Sequence, residues 1–183
     1  MPILNFEFKA RTNRLNELEK NLFRLNPRFI GEDHQTDSYF NVQKGRLKLR
    51  EGNIENALIF YERPDTAGAK QSNVLLYQHK PDPALKEILK QTLGVKVVVE
   101  KTRRIYFIDN VKFHFDTVEG LGNFVEVEAI DETAAIGLSE IQRQCKHYAD
   151  YFKFQPEDFI SASYSDLILE KQFQKQKDEP ARS

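Results

Sequence analysis

The stretch "NVKFHFDTVEGLGNFVEVE", Asn110 to Glu128, alternates between ionic and apolar residues twice over. Successive side chains of a β-strand point to opposite faces. In the first half, Lys112, His114 and Asp116 therefore share one face, and Phe113 and Phe115 the other. In the second half, Glu126 and Glu128 stand against Val125 and Val127. Between the halves, "GLG" breaks the pattern, and no helix opens after it, so it is no dinucleotide fingerprint. Two amphipathic strands are predicted, each with one charged side.

The same two-residue period runs outward from this segment. "ILNFEFKAR", Ile3 to Arg11, sets Asn5, Glu7, Lys9 and Arg11 against Phe6, Phe8 and Ala10. "RLKLR" sets Arg46, Lys48 and Arg50 against Leu47 and Leu49. Within the long strand "VKVVVEKTRRIYFI", Lys101 and Arg103 share a face. Further strands are predicted in "HQTDSYFNV", "ENALIFYERP" and "QSNVLLYQHK", with turns at Lys44-Gly45 and Asp109-Asn110 and a mobile loop over residues 65–70. Helical spacing marks "NRLNELEKNLFRLN", whose Leu15, Leu18, Leu22 and Leu25 form one stripe closed by Pro27. It also marks "DPALKEILKQTL", which Asp82 and Pro83 start and Gly94 ends. A long helix is predicted over Glu132–Phe152, and "YSDLILEKQF" adds a further turn or two. About eight strands and three main helices, with many strands following one another directly, give an α+β domain with a mostly antiparallel sheet. Residues 1–174 form this single domain, and 175–183 a charged, disordered tail.

Composition narrows the function classes. The chain has 183 residues, 40% apolar and 30% charged, with 14 Phe and 7 Tyr, enough for one core. A net charge of −1 argues against general nucleic-acid binding. The single cysteine, Cys145, cannot form an internal disulfide and reads as an ordinary helix residue. No segment has the form of a signal peptide or a membrane span, so a cytoplasmic protein without membrane or nucleic-acid partners is expected. The composition allows a homodimer. His34, His79 and His147 lack ligand spacing, and no Walker-type phosphate loop is present.

Any one amphipathic strand normally turns its charges to water. Taken together, these charges are sorted: three cations on "RLKLR", two anions on "EVE". An idle surface mixes signs more often. The bulky apolar faces match the helical Leu stripe, so helices can cover the outside of a curved sheet whose charged side lines a concavity or barrel. Such a lining is costly when dry and empty, and suits water, metal ions and a highly charged ligand. Carboxylates at Glu7, Asp116, Glu126 and Glu128 are hard donors for Mg²⁺ or Mn²⁺. The Lys and Arg residues suit phosphate oxygens. His114, beside Asp116 on the charged face, fits an interior hydrogen bond, with phosphate contact or proton transfer as the alternative.

This ordered set resembles the CYTH family, also called triphosphate tunnel metalloenzymes, which includes class IV adenylate cyclases, thiamine triphosphatases and inorganic triphosphatases. The Glu-x-Glu-x-Lys opening signature falls on Asn5-Phe6-Glu7-Phe8-Lys9, followed by "DSYFNV", "GRLKLRE", "IFYERPD", "EKTRRIYF" and "NVKFHFDTVEGLGNFVEVE". The similarity runs from Leu4 to Tyr164 and looks closest to bacterial cyclase-type members. It implies an eight-stranded antiparallel β-barrel with a charged interior and helices packed outside. It implies triphosphate contacts at Lys9, Arg11, Arg46, Lys48, Arg50, Lys101 and Arg103, with Arg63 and Lys80 as further contacts. It implies Mg²⁺ or Mn²⁺ at Glu7, Asp116, Glu126 and Glu128, and catalytic roles for Glu7 and Lys9. The departure is Asn5, where the signature has Glu; an amide offers a carbonyl oxygen without charge, so turnover suffers more than triphosphate binding. Three readings follow: a metal-dependent enzyme on a triphosphate-bearing small molecule, cyclase-like or else a triphosphatase; a polyphosphate- or nucleotide-binding module; and an interaction protein with ordinary charged surfaces.

Overall fold

The computed structural model describes residues 4–62 and 73–178. The opening strand β1 (Leu4–Arg11) leads into α1 (Leu15–Phe23), then β2 (Arg28–Phe40), β3 (Arg46–Glu51), β4 (Ala57–Glu62) and β5 (Asn73–Gln78). After α2 (Pro83–Leu93) come β6 (Val95–Ile108), β7 (Val111–Val118) and β8 (Gly122–Asp131), then α3 (Leu138–Tyr151) and α4 (Tyr164–Asp178). All eight strands join one antiparallel sheet in the order β1-β8-β7-β6-β2-β3-β4-β5.

Local chemistry sets the element ends. Gly45 turns β2 into β3 at φ 68°, a conformation that favours glycine, and a Cβ there would lie 2.8 Å from the Phe60 ring. The Asp82 side chain accepts the Ala84 N–H to cap α2, with Pro83 in its first turn. Two helical expectations need correction. The long helix does not begin at Glu132, because the Asp131 carboxylate gathers the backbone N–H groups of Thr133, Ala135, Ile136 and Gly137 and holds a loop before α3. At the other end, α4 runs through Lys175 and Lys177 to Asp178, into the stretch expected as tail. The loop expected over 65–70 lies outside the described residues.

The apolar faces of β1, β7 and β8 build one layer of core. Phe113, Phe115, Val125 and Val127 pack against Leu15, Leu18 and Leu22 of α1 and Ile141, Cys145 and Tyr148 of α3. Each fully buried side chain of this kind contributes about 1.5–3 kcal/mol, so this layer fixes which face turns away from the helices. The opposite face curls inward. Lys112 on β7 reaches Glu55, in the β3–β4 connection, at 2.8 Å, although β6 and β2 lie between their strands. The sheet ends at β1 and β5 as a curled half-barrel. On the same inner side a second core cluster joins Tyr39, Ile59, Tyr61, Val97, Val99 and Phe124, and the first turn of α4 contributes Tyr164 to it. Among the described residues, no helix is long and apolar enough to cross a membrane.

Candidate functional site

Strand register places the charged residues on the concave face. Glu7 lies opposite Glu128 and Lys9 opposite Glu126 across β1 and β8. His114 faces Glu126, and Lys112 faces Glu128, across β7 and β8. Arg103 pairs with Asp116 on one side and Asp33 on the other, and Asp37 sits opposite Arg50. The sorting of charges seen strand by strand therefore becomes, in three dimensions, a face of mostly opposite-sign neighbours, with Glu7 and Glu128 as a like-charge pair.

Three groups organise that face. The first centres on Asp37 of β2, which accepts from Lys48 at 3.1 Å, Arg50 at 2.8 and 2.9 Å, and Lys101 at 2.9 Å. Burial works against the Asp37 charge, yet Lys48, Lys101 and Arg50 together hold its carboxyl well below the usual range. For Lys101, burial and then the neighbouring Arg50, Arg103 and Lys48 outweigh Asp37 and bring the ammonium down to about 7.

The second group joins Arg103, Asp116, Glu126, His114 and Lys9. Arg103 donates two bonds to Asp116, at 2.7 and 2.6 Å, and the Tyr164 hydroxyl donates a third at 2.7 Å. Arg103 and Lys9 each stand 3.7 Å from Glu126. Lys9 also lies 4.2 Å over the Tyr164 ring. Burial opposes ionisation of Asp116 and Glu126, but Arg103 prevails and keeps both below the carboxylate norm. His114 Nδ1 is 3.3 Å from Glu126, while its buried Nε2 has no hydrogen-bond partner. Burial, then Arg103, push the imidazole down to about 4.

The third group is held by Glu55. It accepts from Arg50 at 2.9 Å, Lys112 at 2.8 Å and Gln35 at 3.1 Å. Its loop is carried by buried Asp33, which accepts the N–H groups of Ile54 and Glu55. At the rim, Arg46 forms a two-pronged pair with Asp166 of α4 at 3.1 and 2.9 Å, and Arg11 donates to the Leu121 carbonyl at 2.6 Å.

Glu7, Lys9, Arg46, Lys48, Arg50, Lys101, Arg103, Asp116, Glu126 and Glu128 thus share the inner face, with Arg11 at its edge. Lys80 lies exposed just beyond β5, and Arg63 falls outside the described residues. Sequence reasoning missed Asp33, Gln35, Asp37, Glu55 and Tyr164. A signal existed for three of them: Asp33, Gln35 and Asp37 alternate along β2. Glu55 sits in a loop and Tyr164 opens a helix, so strand period could not mark them.

The donor set fits a hard divalent cation. Asn5 Nδ2 donates to Glu128 at 2.8 Å, which leaves its carbonyl oxygen for other contacts. Burial, and then the charge of Glu7, raise the Glu128 carboxyl; a bound cation would relieve that repulsion. Among the described residues no three His, Cys, Asp or Glu groups converge for coordination. That is compatible with Mg²⁺, which keeps several waters and takes one or two carboxylates with substrate phosphate.

Comparisons with known proteins agree with this architecture. The model of the family described as CYTH domain matches residues 4–156. A Methanocaldococcus jannaschii protein named "Putative adenylate cyclase MJ0240" is 27% identical over 138 residues, 69% of this chain and 77% of its own length. The PH1012 protein of Pyrococcus horikoshii superposes with a TM-score of 0.77 at 24% identity, covering 90% of this chain and 99% of that one. A Hippeastrum protein, HpAC1, described as having a dominant triphosphatase activity, superposes with a TM-score of 0.65 at 11% identity, over 93% of this chain and 96% of its own. At these identities the two structures speak to the fold.

Proposed function

The chain belongs to the CYTH family, and from that premise we propose that it is a divalent-metal-dependent enzyme acting on a nucleotide or other organic triphosphate, with cyclisation of ATP to cyclic AMP and pyrophosphate as its reaction. The observation that carries this reading is the convergence of Lys9, Lys48, Arg50, Lys101, Arg103 and Lys112, from four strands, on one concave face that also holds Glu7, Glu126 and Glu128. Guanidinium and ammonium donors at this density suit a ligand carrying several phosphate charges.

In this reading, Arg50 and Arg103 grip phosphate oxygens with planar donor pairs, and the lysines balance charge as the leaving pyrophosphate departs. The ribose 3′-hydroxyl attacks the α-phosphorus, and its proton passes to solvent. One or two of the carboxylates Glu7, Glu126 and Glu128 would hold Mg²⁺ or Mn²⁺ together with substrate phosphate, and the ion would supply Lewis-acid polarisation. Asp116 serves through Arg103, which it fixes by two hydrogen bonds. Lys9, beside Glu126, contacts phosphate.

The second reading is hydrolysis at the terminal phosphorus. The observation on its side is that Tyr164 and Tyr39, whose rings lie 4.2 Å from Lys9 and 5.5 Å from Lys48, are buried in the second core cluster rather than presented to a base. Incubation of the purified protein with ATP, thiamine triphosphate and inorganic triphosphate, each with Mg²⁺ or Mn²⁺, separates the readings. Cyclic AMP with pyrophosphate supports the cyclase, and orthophosphate the hydrolase. Binding without product reduces the site to a sequestering module. Glu126→Gln should weaken metal dependence and Arg50→Ala triphosphate affinity; two variants indistinguishable from the parent would refute the site.

A further inference from the structure

Lys48 and Arg50 belong to β3, and Lys101 to β6; β2 runs between these strands and supplies Asp37 to all three cations. The four groups are nearly out of solvent: side-chain exposure is 13% for Lys48, 11% for Arg50, 1% for Lys101 and 2% for Asp37. Three buried cations repel one another at such range; Asp37 offsets part of that, and Glu55, 2.9 Å from Arg50 but shared with Lys112, adds a further part without balancing the group. Each ammonium donates one bond to Asp37 and has three N–H groups to give. The cluster keeps a net positive charge and unspent donors, the property an anion site requires.

We infer that Asp37 is a positioning residue that gathers Lys48, Arg50 and Lys101 into one anion-binding trio. This rests on reading the concave face as a triphosphate site. Asp37 does not touch the reacting atoms; it acts through the three cations.

The consequence is a pH signature. Lys101 faces Asp37 from β2, Lys48 and Arg50 from β3, and Arg103 along its own strand; its register neighbours Gln35 and Val118 do not titrate. Among the charged neighbours, Asp37 alone favours the ammonium. Without it Lys101 gives up its proton at lower pH, and the trio becomes a pair. Below that pH the charge survives and the anion still binds.

Calorimetric titration with inorganic tripolyphosphate tests this, using the full chain, Asp37→Asn, Asp37→Glu and Lys101→Met. The ligand's own titration is common to all and cancels in ratios. Asp37→Asn should bind within about twofold of the parent near pH ~5, where both keep the Lys101 charge, and about fivefold more weakly near pH ~6.5, where only the parent keeps it. Asp37→Glu should recover most of the difference. A loss of equal size at both pH values, or no loss, would mean that Asp37 is merely structural and overturns the inference. Should Asp37→Asn not fold, Lys101→Met decides: its deficit against the parent should be largest near pH ~5.5 and close near pH ~8, as the parent's own amine loses its proton. A deficit that does not close overturns the inference as well. Failure of the parent to bind tripolyphosphate at either pH removes the proposed function, and the role of Asp37 with it.

Discussion

Lys112 Nζ and Glu55 Oε1 meet at 2.8 Å, although β6 and β2 separate the strand of the first from the hairpin that carries the second. Neighbouring strands lie about 4.8 Å apart, so a flat sheet would hold β7 and β3 roughly 14 Å from each other. The pair is therefore a direct measure of curl. It also means that a carboxylate stands where two cations, Arg50 and Lys112, would otherwise face a ligand.

Glu55→Gln separates those two roles. Loss of charge-assisted bonds to Arg50 and Lys112 should lower the unfolding free energy by about 2–3 kcal/mol in denaturant titration. The released cations should bind tripolyphosphate several-fold more tightly without metal, read by calorimetry. Weaker binding would show that Glu55 does not compete for this face.

Acid should destabilise the fold before its carboxylates titrate. Burial, and then Arg103, hold His114 at about 4 in the native state, against about 6.5 when unfolded. Between those values the unfolded chain binds the extra proton, so stability rises with pH and is lost as pH falls through the window, by about 3 kcal/mol in all. Below it, Asp37, Asp116 and Glu126, whose carboxyls are depressed, lose their own contribution as they take up protons. His114→Gln should flatten the upper window only. Thermal melts from pH ~4 to ~7 check this, and an unchanged slope would mean that another group controls it.

Asn5 can be converted to the residue that the family signature carries. Asn5→Glu removes the amide donor to Glu128 and adds a third carboxylate to the Glu7–Glu128 pair. Without metal the variant should be less stable than the parent by about 1–2 kcal/mol. Mg²⁺ or Mn²⁺ should raise its Tm more than that of the parent, through linkage of binding to folding. Equal Tm shifts would argue against a metal at this end of the sheet.

Cys145 reports on the outer core. It is buried between α3 and the sheet, its Sγ 3.2 Å from the Phe6 carbonyl, and burial pushes the thiol up to about 11. Aromatic disulfide reagents near pH ~8 should modify it no faster than the helical layer opens. Rapid labelling of the folded protein would show that α3 is loosely seated.

Much of the architecture is written in local periodicity. The alternation along Asn110–Glu128 and Ile3–Arg11 assigns every inner and outer residue of β1, β7 and β8, because one strand's geometry does not depend on its neighbours. The Leu15, Leu18 and Leu22 stripe likewise announces the helix that covers the outer face. The start of α3 was less legible: only Gly137 in Glu132–Gly137 speaks against helix, and it is the Asp131 carboxylate collecting the N–H groups that holds the segment as a loop.

What the sequence determined by itself, then, was which side of each strand is ionic and that several such sides exist. Tertiary structure alone decided the pairings: that Asp37 serves cations from two strands, that Glu55 reaches across the curl, and that Tyr164 enters from the last helix to bind Asp116. The reason is range. Side-chain alternation follows from a few bonds of one strand, whereas the partner of a buried charge depends on strand order and curvature, which the whole chain sets together.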